Sequence, residues 1–251
     1  MSDIFIESSL LKNVGVEHGF FTRNGGVSSD EFSSLNCKFN NLDNIENVNN
    51  NLIIAANCLS VNIEDLTLLN QIHSSRVIKA NNTIDKIEGD AIYSSRKNSA
   101  IGVITADCVP ILVWDNKNNI ALAIHAGWKG ALNGIVENSI SAIKKSSEYH
   151  FYAAIGPCIR QNNYEVDEKF YILFLEETTL NNKYFKNSVN KGRFLFDLPK
   201  YCYEKLIKCG VSKIDDLKID TYSDEKKFFS CRRALHKREK NFGCQLSLIK
   251  I

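Results

Sequence analysis

The chain has 251 residues, of which 44% are hydrophobic and 24% charged, and its formal net charge is +2. This composition is typical of a globular protein with a sizeable core, and a charge near zero argues against nucleic-acid binding. No apolar run reaches the ~18 residues of a membrane-spanning helix, and the acidic start "MSDIFIESSL" lacks the basic region of a signal peptide. We therefore predict a cytoplasmic protein that binds neither nucleic acid nor membrane.

In chain order, the hydrophobic pattern predicts a mixture of helices and strands. The first half gives a helix in "VNNNLIIAANCL" and buried strands in "SAIGVITA", "PILVWD" and "NIALAIHA". An amphipathic helix follows in "GWKGALNGIVENSISAIKK", because its apolar residues recur at intervals of three and four.

The second half continues in the same way. It gives a strand in "FYAAIGPCI", helices in "DEKFYILFLEE" and "DLPKYCYEKLIKC", and a last strand in "FGCQLSLIKI" that closes a sheet. Strands and helices do not alternate regularly, so we predict an α+β fold, a layered mixed sheet with flanking helices. No repeat or Pro-rich linker divides the chain, so residues 1–251 are expected to form one domain.

The eight cysteines contain no CxxC pair. In a chain without a signal peptide this favours reduced thiols, most of them small core residues. Gly210 is the expected C-cap of the helix that holds Cys202 and Cys209.

Three residues that can bind metal follow or end apolar strands: His73 in "LNQIHSSRV", Cys108 in "VITADCVP" and His125 in "LAIHAGWKG". Imidazole and thiolate are natural zinc ligands, and three protein ligands leave a fourth position open, as in catalytic sites. The same residues could instead be a cysteine nucleophile and its base, and the pattern alone favours histidines and a cysteine that are packed in the core.

Eight ordered segments then narrow the choice. They are "HGFFTRNGGVS", "SLN", "NQIHSSRV", "GDAIYS", "TADCVPILVWD", "AIHAGWKG", "AAIGPCI" with "YEV", and "TYSDEKKFFSCRR". With them the chain resembles, almost end to end, the laccase-domain or polyphenol-oxidase-like family, also described as purine nucleoside phosphorylases.

The resemblance implies a zinc ion bound by His73, Cys108 and His125, which would also be the catalytic residues. It implies phosphorolysis of adenosine, inosine, guanosine and methylthioadenosine to base and ribose-1-phosphate, together with deamination of adenosine. The partners would be small molecules, a purine nucleoside and phosphate, and the protein would be a monomer or homodimer. Gly127 and Gly130 would let the backbone and the substrate approach the metal.

The implied fold is similar to the catalytic domain of the cytotoxic necrotizing factor toxins, which hydrolyse with a Cys-His pair. This keeps open a cysteine hydrolase, with Cys108 as nucleophile and His125 as base, that edits a peptidoglycan precursor.

Copper oxidation, which the laccase label suggests, is disfavoured by the number of histidines. The chain has five histidines and no HxH pair, too few for a blue-copper site together with a trinuclear copper cluster. Zinc is therefore the expected cofactor, with copper as the less favoured ion.

Several polar residues are candidates for substrate binding. Arg23, beside the glycines of "TRNGG", is a candidate phosphate ligand, although a surface salt bridge would explain it as well. Arg232 and Arg233 are further candidates, of which at most one should face the site if the segment is extended. Asn36 and Gln71 are candidate hydrogen-bonding partners of the substrate, or satisfied structural amides.

The remaining titratable residues have less defined roles. Asp107 is a candidate general acid or base that could equally cap a turn. His18 is expected to be structural or to orient a ligand, and His150 and His236 to lie on the surface. The end of the chain departs from the family pattern, with Cys231 in place of Tyr, and Ala234 and Cys244 in place of Asp and Arg. If these positions shape the pocket, purine specificity is the property that this divergence affects.

Overall fold

The computed structural model describes residues 4–39, 42–80, 87–144 and 148–251. Its helices are α1 Ser9–Asn13, α2 Ile45–Cys58, α3 Trp128–Leu132, α4 Ile135–Ile143, α5 Glu168–Glu177, α6 Leu198–Lys208 and α7 Cys231–Lys237. Its strands are β1 Phe5–Ile6, β2 His18–Phe21, β3 Leu66–Thr67, β4 Val77–Lys79, β5 Ala91–Ser94, β6 Ala100–Thr105, β7 Val109–Asp115, β8 Ile120–Ala126, β9 Phe151–Ile155, β10 Glu165–Asp167, β11 Phe185–Asn187, β12 Arg193–Phe196, β13 Lys213–Asp216 and β14 Gln245–Lys250.

The strands form two large mixed sheets and one small one. The five-stranded sheet has the order β1-β2-β14-β6-β3, and the six-stranded sheet has the order β13-β9-β7-β8-β5-β4. A three-stranded antiparallel sheet, β10-β12-β11, lies apart from them in the pairing scheme.

The side chains of β8 show how the layers pack. Ala121 and Ala123 face a core shared with residues of the five-stranded sheet, whereas Leu122 and Ile124 belong to a core shared with α4 and α6. Alternate residues of a strand point to opposite faces of its sheet. The six-stranded sheet is therefore covered by the other sheet on one face and by helices on the other.

The outer face of the five-stranded sheet is covered by α2. Leu52 and Ala55 of this helix pack with Leu246 and Leu248 of β14. The order of layers is therefore helix, sheet, sheet, helix, which confirms the α+β prediction with mixed sheets and flanking helices.

The helix predicted over 127–145 is wrong in one respect, because the structure divides it into α3 and α4. Gly134 has a φ of +86°, a left-handed conformation that ends the first helix and that glycine adopts without steric cost. The apolar residues Ile135, Val136 and Ile140 are buried as the periodicity indicated. Lys145, the last residue of the predicted helix, lies outside the described residues.

The other predicted helices and strands are confirmed within a few residues. The C-terminal strand β14 lies inside its sheet, between β2 and β6, rather than at an edge. All eight cysteines are free thiols, and Gly210, with a φ of +94°, follows α6 as expected.

Within the described ranges, none of the helices combines the length and the apolar character that a membrane span requires. The single domain over 1–251 and the likeness to the toxin domain stay predictions.

Candidate metal centre

Sheet topology brings the three predicted ligands to one edge of the six-stranded sheet. His73 lies in the loop before β4, Cys108 directly precedes β7, and His125 is next to the end of β8. β7 and β8 are antiparallel, with Pro110 opposite His125. The starts of β4 and β5 lie at this same edge, because β4 runs parallel to β5 and β5 runs antiparallel to β8.

The donor atoms of the three residues face one another. Cys108 Sγ is 3.9 Å from His73 Nε2, and one donor atom from each of the three residues lies within 4.8 Å of the others. Around a tetrahedral zinc, with bonds of about 2.3 Å to sulfur and 2.0–2.1 Å to nitrogen, ligand atoms are roughly 3.3–3.8 Å apart. Small side-chain adjustments would therefore close this group around an ion, so the residues present fit a bound metal.

Asp90 fixes both histidines, although it was not among the candidate site residues predicted from the sequence. Its carboxylate accepts hydrogen bonds from His125 Nδ1 at 2.8 Å, from the His73 amide at 2.9 Å and from the amide and hydroxyl of Ser74, both at 2.6 Å. Its carbonyl oxygen also accepts from the His125 amide at 2.7 Å. With Nδ1 of His125 occupied, its Nε2 is the nitrogen left for a metal.

The charge of Asp90 is well stabilised. Burial by itself raises the pKa of this carboxyl, but the hydrogen bonds from His125 and Ser74 outweigh that effect and bring the pKa down to about 2. Asp90 is therefore an anion at neutral pH. Because it hydrogen-bonds to the candidate ligand His125, its charge can balance the positive charge of a metal centre.

Two glycines allow the ligand loop to pack against the start of α3. A Cβ at Gly127 would lie 2.7 Å from His73 Cδ2 and 3.2 Å from Cys108 Sγ, and one at Gly130 would lie 2.7 Å from the Ser74 carbonyl. The backbone is thus closely packed at both glycines, and the approach of a substrate to a metal there stays a prediction. His73 itself has a φ of +57°, an uncommon conformation for a residue with a side chain.

The protonation states favour a ligand role over a nucleophilic one. Partial desolvation and the neighbouring His125 lower the pKa of His73, which leaves its imidazole neutral and able to coordinate. Burial raises the pKa of the Cys108 thiol, with a further increase from Asp107. A reactive cysteine needs a lowered pKa, whereas a coordinated metal deprotonates a thiol directly.

Asp107 connects the centre to the C-terminal part of the chain. Its carboxylate accepts from the Thr221 hydroxyl at 2.7 Å, the Ser230 hydroxyl at 2.9 Å and the Arg232 amide at 2.7 Å. These contacts include the first turn of α7, so the structure gives Asp107 the capping role, although for a distant helix. Its burial raises the pKa of this carboxyl.

The two neighbouring arginines lie on a helix, and the expectation of an extended segment was wrong. Arg232 lines a cavity of about 160 Å³ together with Cys108. Its guanidinium lies 5.2 Å from the ring centroid of Tyr164 and donates to the Glu165 carbonyl at 2.6 Å. Arg233 is buried and donates to the carbonyls of residues 221, 222 and 228, so it supports the local backbone.

The other proposed substrate contacts are engaged within the protein. Arg23 donates to the carbonyls of Ser33 and Glu225, and it lies over the Phe229 ring in a different cavity from that of Cys108. Gln71 makes a two-point contact of 2.7 Å per bond with the backbone of Ile104.

Asn36 is buried and bonds Asp43, both backbone groups of Lys38 and the Cys244 amide. Substrate contact by Arg23, Asn36 and Gln71 stays a prediction.

The histidines outside the centre have the roles expected of them. His18 is buried, where Nε2 accepts from the Ser8 amide and Nδ1 donates to the Val16 carbonyl, both at 2.8 Å. His150 and His236 lie on the surface. His236 bonds the Tyr222 hydroxyl at 2.9 Å.

Fold and site together define an α+β protein with a candidate two-histidine, one-cysteine metal centre at the edge of a mixed sheet. The sequence profile of the multi-copper polyphenol oxidoreductase laccase family matches residues 17–251. The chain belongs to this family, which confirms the resemblance that the eight segments indicated.

Curated relatives of the chain carry another name. A Rickettsia conorii protein named purine nucleoside phosphorylase is 33% identical over 230 residues, covering 91% of this chain and 93% of its own. An Escherichia coli protein of the same name is 30% identical over 216 residues, covering 84% and 86%.

Solved structures share the whole fold. A Neisseria meningitidis protein matches with a TM-score of 0.89 and 30% identity over 99% of both chains. A hypothetical protein from Bacillus licheniformis matches with a TM-score of 0.89 and 26% identity over 100% of this chain and 97% of that one.

Proposed function

We propose that the protein is a zinc-dependent, cytoplasmic purine nucleoside phosphorylase. Its substrates are adenosine, inosine, guanosine and methylthioadenosine, which phosphate converts to base and ribose-1-phosphate, and it also deaminates adenosine. The observation that carries the proposal is the group of His73, Cys108 and His125, oriented by Asp90, at one edge of the six-stranded sheet. The family profile matches nearly the whole chain around this group. The names of the curated relatives support the substrate class.

The residues of the chain divide the work. His73, Cys108 and His125 would hold the zinc ion, which would supply Lewis-acid activation of the substrate. Asp90 keeps the proton of His125 on Nδ1 and fixes the plane of the ring. His73 is the most exposed of the three ligands and marks the side from which a substrate enters.

Among the proposed substrate contacts, Arg232 has the best support, because it lines the same cavity as Cys108. Arg23, Asn36 and Gln71 are further proposed contacts, and each would have to exchange a protein partner for the substrate. The protein acts on small molecules, as a monomer or homodimer.

The experiment is product analysis with the zinc-loaded protein. Inosine or adenosine is incubated with phosphate, and hypoxanthine or adenine is followed together with ribose-1-phosphate. We expect turnover by the wild-type protein and by His236→Ala, an exposed matched control, and background rates for His125→Ala. Equal rates for wild type and His125→Ala would reject the proposal. Inosine formed from adenosine without phosphate measures the deaminase activity separately.

The metal is tested independently of activity. We expect about one zinc per chain in purified wild-type protein and its loss in His73→Ala, because a catalytic zinc site with only two protein ligands binds weakly. Copper at the same stoichiometry would change the cofactor assignment.

The alternative is a cysteine hydrolase acting on a peptidoglycan precursor, which the implied similarity to the toxin fold suggests. It predicts full activity after complete metal removal and loss of activity on alkylation of Cys108. The raised pKa of Cys108 disfavours this alternative.

A further inference from the structure

The cavity beside Cys108 is partly enclosed by apolar side chains. It has a volume of about 160 Å³, and Ile159, Leu198 and Leu235 contribute to its walls. Pockets for whole drug-sized ligands are commonly about 300–1,000 Å³. The cavity is therefore large enough for one part of a ligand, in direct contact with a residue of the metal centre.

One wall of the cavity offers flat, fixed surfaces. The Arg232 guanidinium and the Tyr164 ring are 5.2 Å apart, and both line the cavity. Arg232 is held at its amide by Asp107 and at its guanidinium by the Glu165 carbonyl. The Tyr164 ring is held by its contacts with Phe170 and Phe196. Aromatic and guanidinium planes of this kind stack on flat heteroaromatic rings.

The same wall carries polar groups with free hydrogen-bonding capacity. No described residue hydrogen-bonds to the hydroxyl of Tyr164, and the Cys231 thiol, a weak donor, also lines the cavity. A ligand that enters the cavity can supply a hydrogen-bonding partner to these groups.

We propose that this cavity is the subsite for the planar base of the substrate, with Tyr164 and Arg232 as its stacking and hydrogen-bonding wall and with Cys231 and Leu235 also lining it. The inference rests on the proposed function, because that function supplies the ligand class, a purine. The volume suits a flat bicyclic ring, whose sugar then extends out of the cavity along the metal centre.

Base binding is measured by calorimetric titration of the zinc-loaded protein with free adenine and hypoxanthine. We expect binding by wild type, weakening of about 3–10-fold in Tyr164→Phe from the loss of one hydrogen bond, and weakening of at least about tenfold in Cys231→Trp, which fills the cavity. Tyr171→Phe is the matched control, because its hydroxyl bonds Asn182 outside the cavity and base affinity should not change.

A second filling variant covers the case in which Cys231→Trp does not fold. Leu235 lines the cavity yet is 64% exposed, so Leu235→Trp can be accommodated, and the exposed Ile207→Trp on α6 is its control. Zinc content and thermal unfolding confirm that each variant is intact. Absence of base binding by wild type, or unchanged binding by intact filling variants, overturns the subsite.

The two proposals fail in different ways. The first case is that wild type binds adenine, that the filling variants lose this binding, and that no nucleoside is cleaved. The proposed function is then wrong and the subsite stands. If nucleosides are cleaved with the same KM in wild type and the filling variants, the function stands and the subsite is wrong.

Discussion

Asp90 shows how one buried carboxylate can organise a site built from distant residues. It receives hydrogen bonds from the ring of His125 and from the backbone of His73 and Ser74. These hydrogen bonds hold the loop before β4 and the end of β8 together. An arrangement fixed in advance reduces the ordering cost of binding.

Replacing Asp90 by Asn should lower zinc affinity by about 10–100-fold, the usual effect of losing a partner that orients a ligand. The amide cannot accept at both positions, so either His125 or Ser74 loses its acceptor. Competition with a chromogenic chelator measures the affinity. Asp65→Asn, which removes only a contact with Arg96, is the control, and equal affinity in the two variants would contradict the orienting role.

Gly127→Ala tests the close packing behind the centre. The new Cβ would stand 2.7 Å from His73 Cδ2 and 3.2 Å from Cys108 Sγ, so the imidazole must shift from its present position. The φ of −71° at this position suits alanine, and the backbone itself should not be strained. We expect zinc loss with little change in the unfolding midpoint, measured by metal analysis and urea titration. Full zinc content would show that His73 has room to shift and still bind.

At the scale of elements, a charge cluster connects the helices on the outer face of the six-stranded sheet. Lys205 of α6 pairs with Glu177 of α5 at 2.7 Å and with Glu137 of α4 at 2.6 Å. Glu177 also accepts from Tyr201 and Asn181. Burial alone raises the pKa of Glu177, but these hydrogen bonds outweigh it and lower the pKa below its ordinary value.

Glu177→Gln should therefore reduce the free energy of unfolding at pH 7 by about 1–2 kcal/mol, since three hydrogen bonds to a charged acceptor are weakened in a partly exposed setting. A carboxyl whose pKa is lowered by folding stabilises the protein above its ordinary pKa and loses that effect as the pH falls through the folded value. The difference from wild type should accordingly shrink in acid. Urea unfolding at pH 7 and below pH 4.5 measures the difference in unfolding free energy between variant and wild type. The exposed Glu176→Gln is the control. A difference that does not change with pH would contradict a contribution from the Glu177 charge.

At the scale of the whole molecule, Asp107 holds the C-terminal segment to the link between the two large sheets. β6 lies in one sheet and β7 in the other, and Asp107 sits between them with a φ of +87°. Its partners Thr221, Ser230 and Arg232 are more than 110 residues away in sequence. One wall of the cavity beside Cys108 is positioned by these bonds.

Asp107→Ala should cost about 2–4 kcal/mol of unfolding free energy, because it leaves buried donors without an acceptor. A double-mutant cycle with Ser230→Ala measures the shared contribution by urea unfolding, and we expect clear non-additivity. Strictly additive losses would mean that the two residues stabilise the protein independently.

Local patterns in the sequence were enough to predict most of the helices and strands and the candidate ligand residues. Periodicity located most helices and strands, and the resemblance of the eight segments to a known family implied His73, Cys108 and His125 as ligands. Both signals are local, because a few adjacent residues are enough to indicate a helix face or the end of a strand. The division of the predicted helix at Gly134 could not be predicted in this way, because the apolar pattern continues across it.

Which of these residues lie close together could be seen only in the folded chain. Asp90 follows a glycine and reads locally as a turn residue, and nothing near it in sequence indicates that His125 and His73 bond to it. Likewise, Arg232 and Cys108 line the same cavity because α7 packs beside the segment that connects β6 with β7. Strand pairing and sheet stacking depend on contacts between distant residues, and their physical reason is the burial of whole faces rather than any local preference.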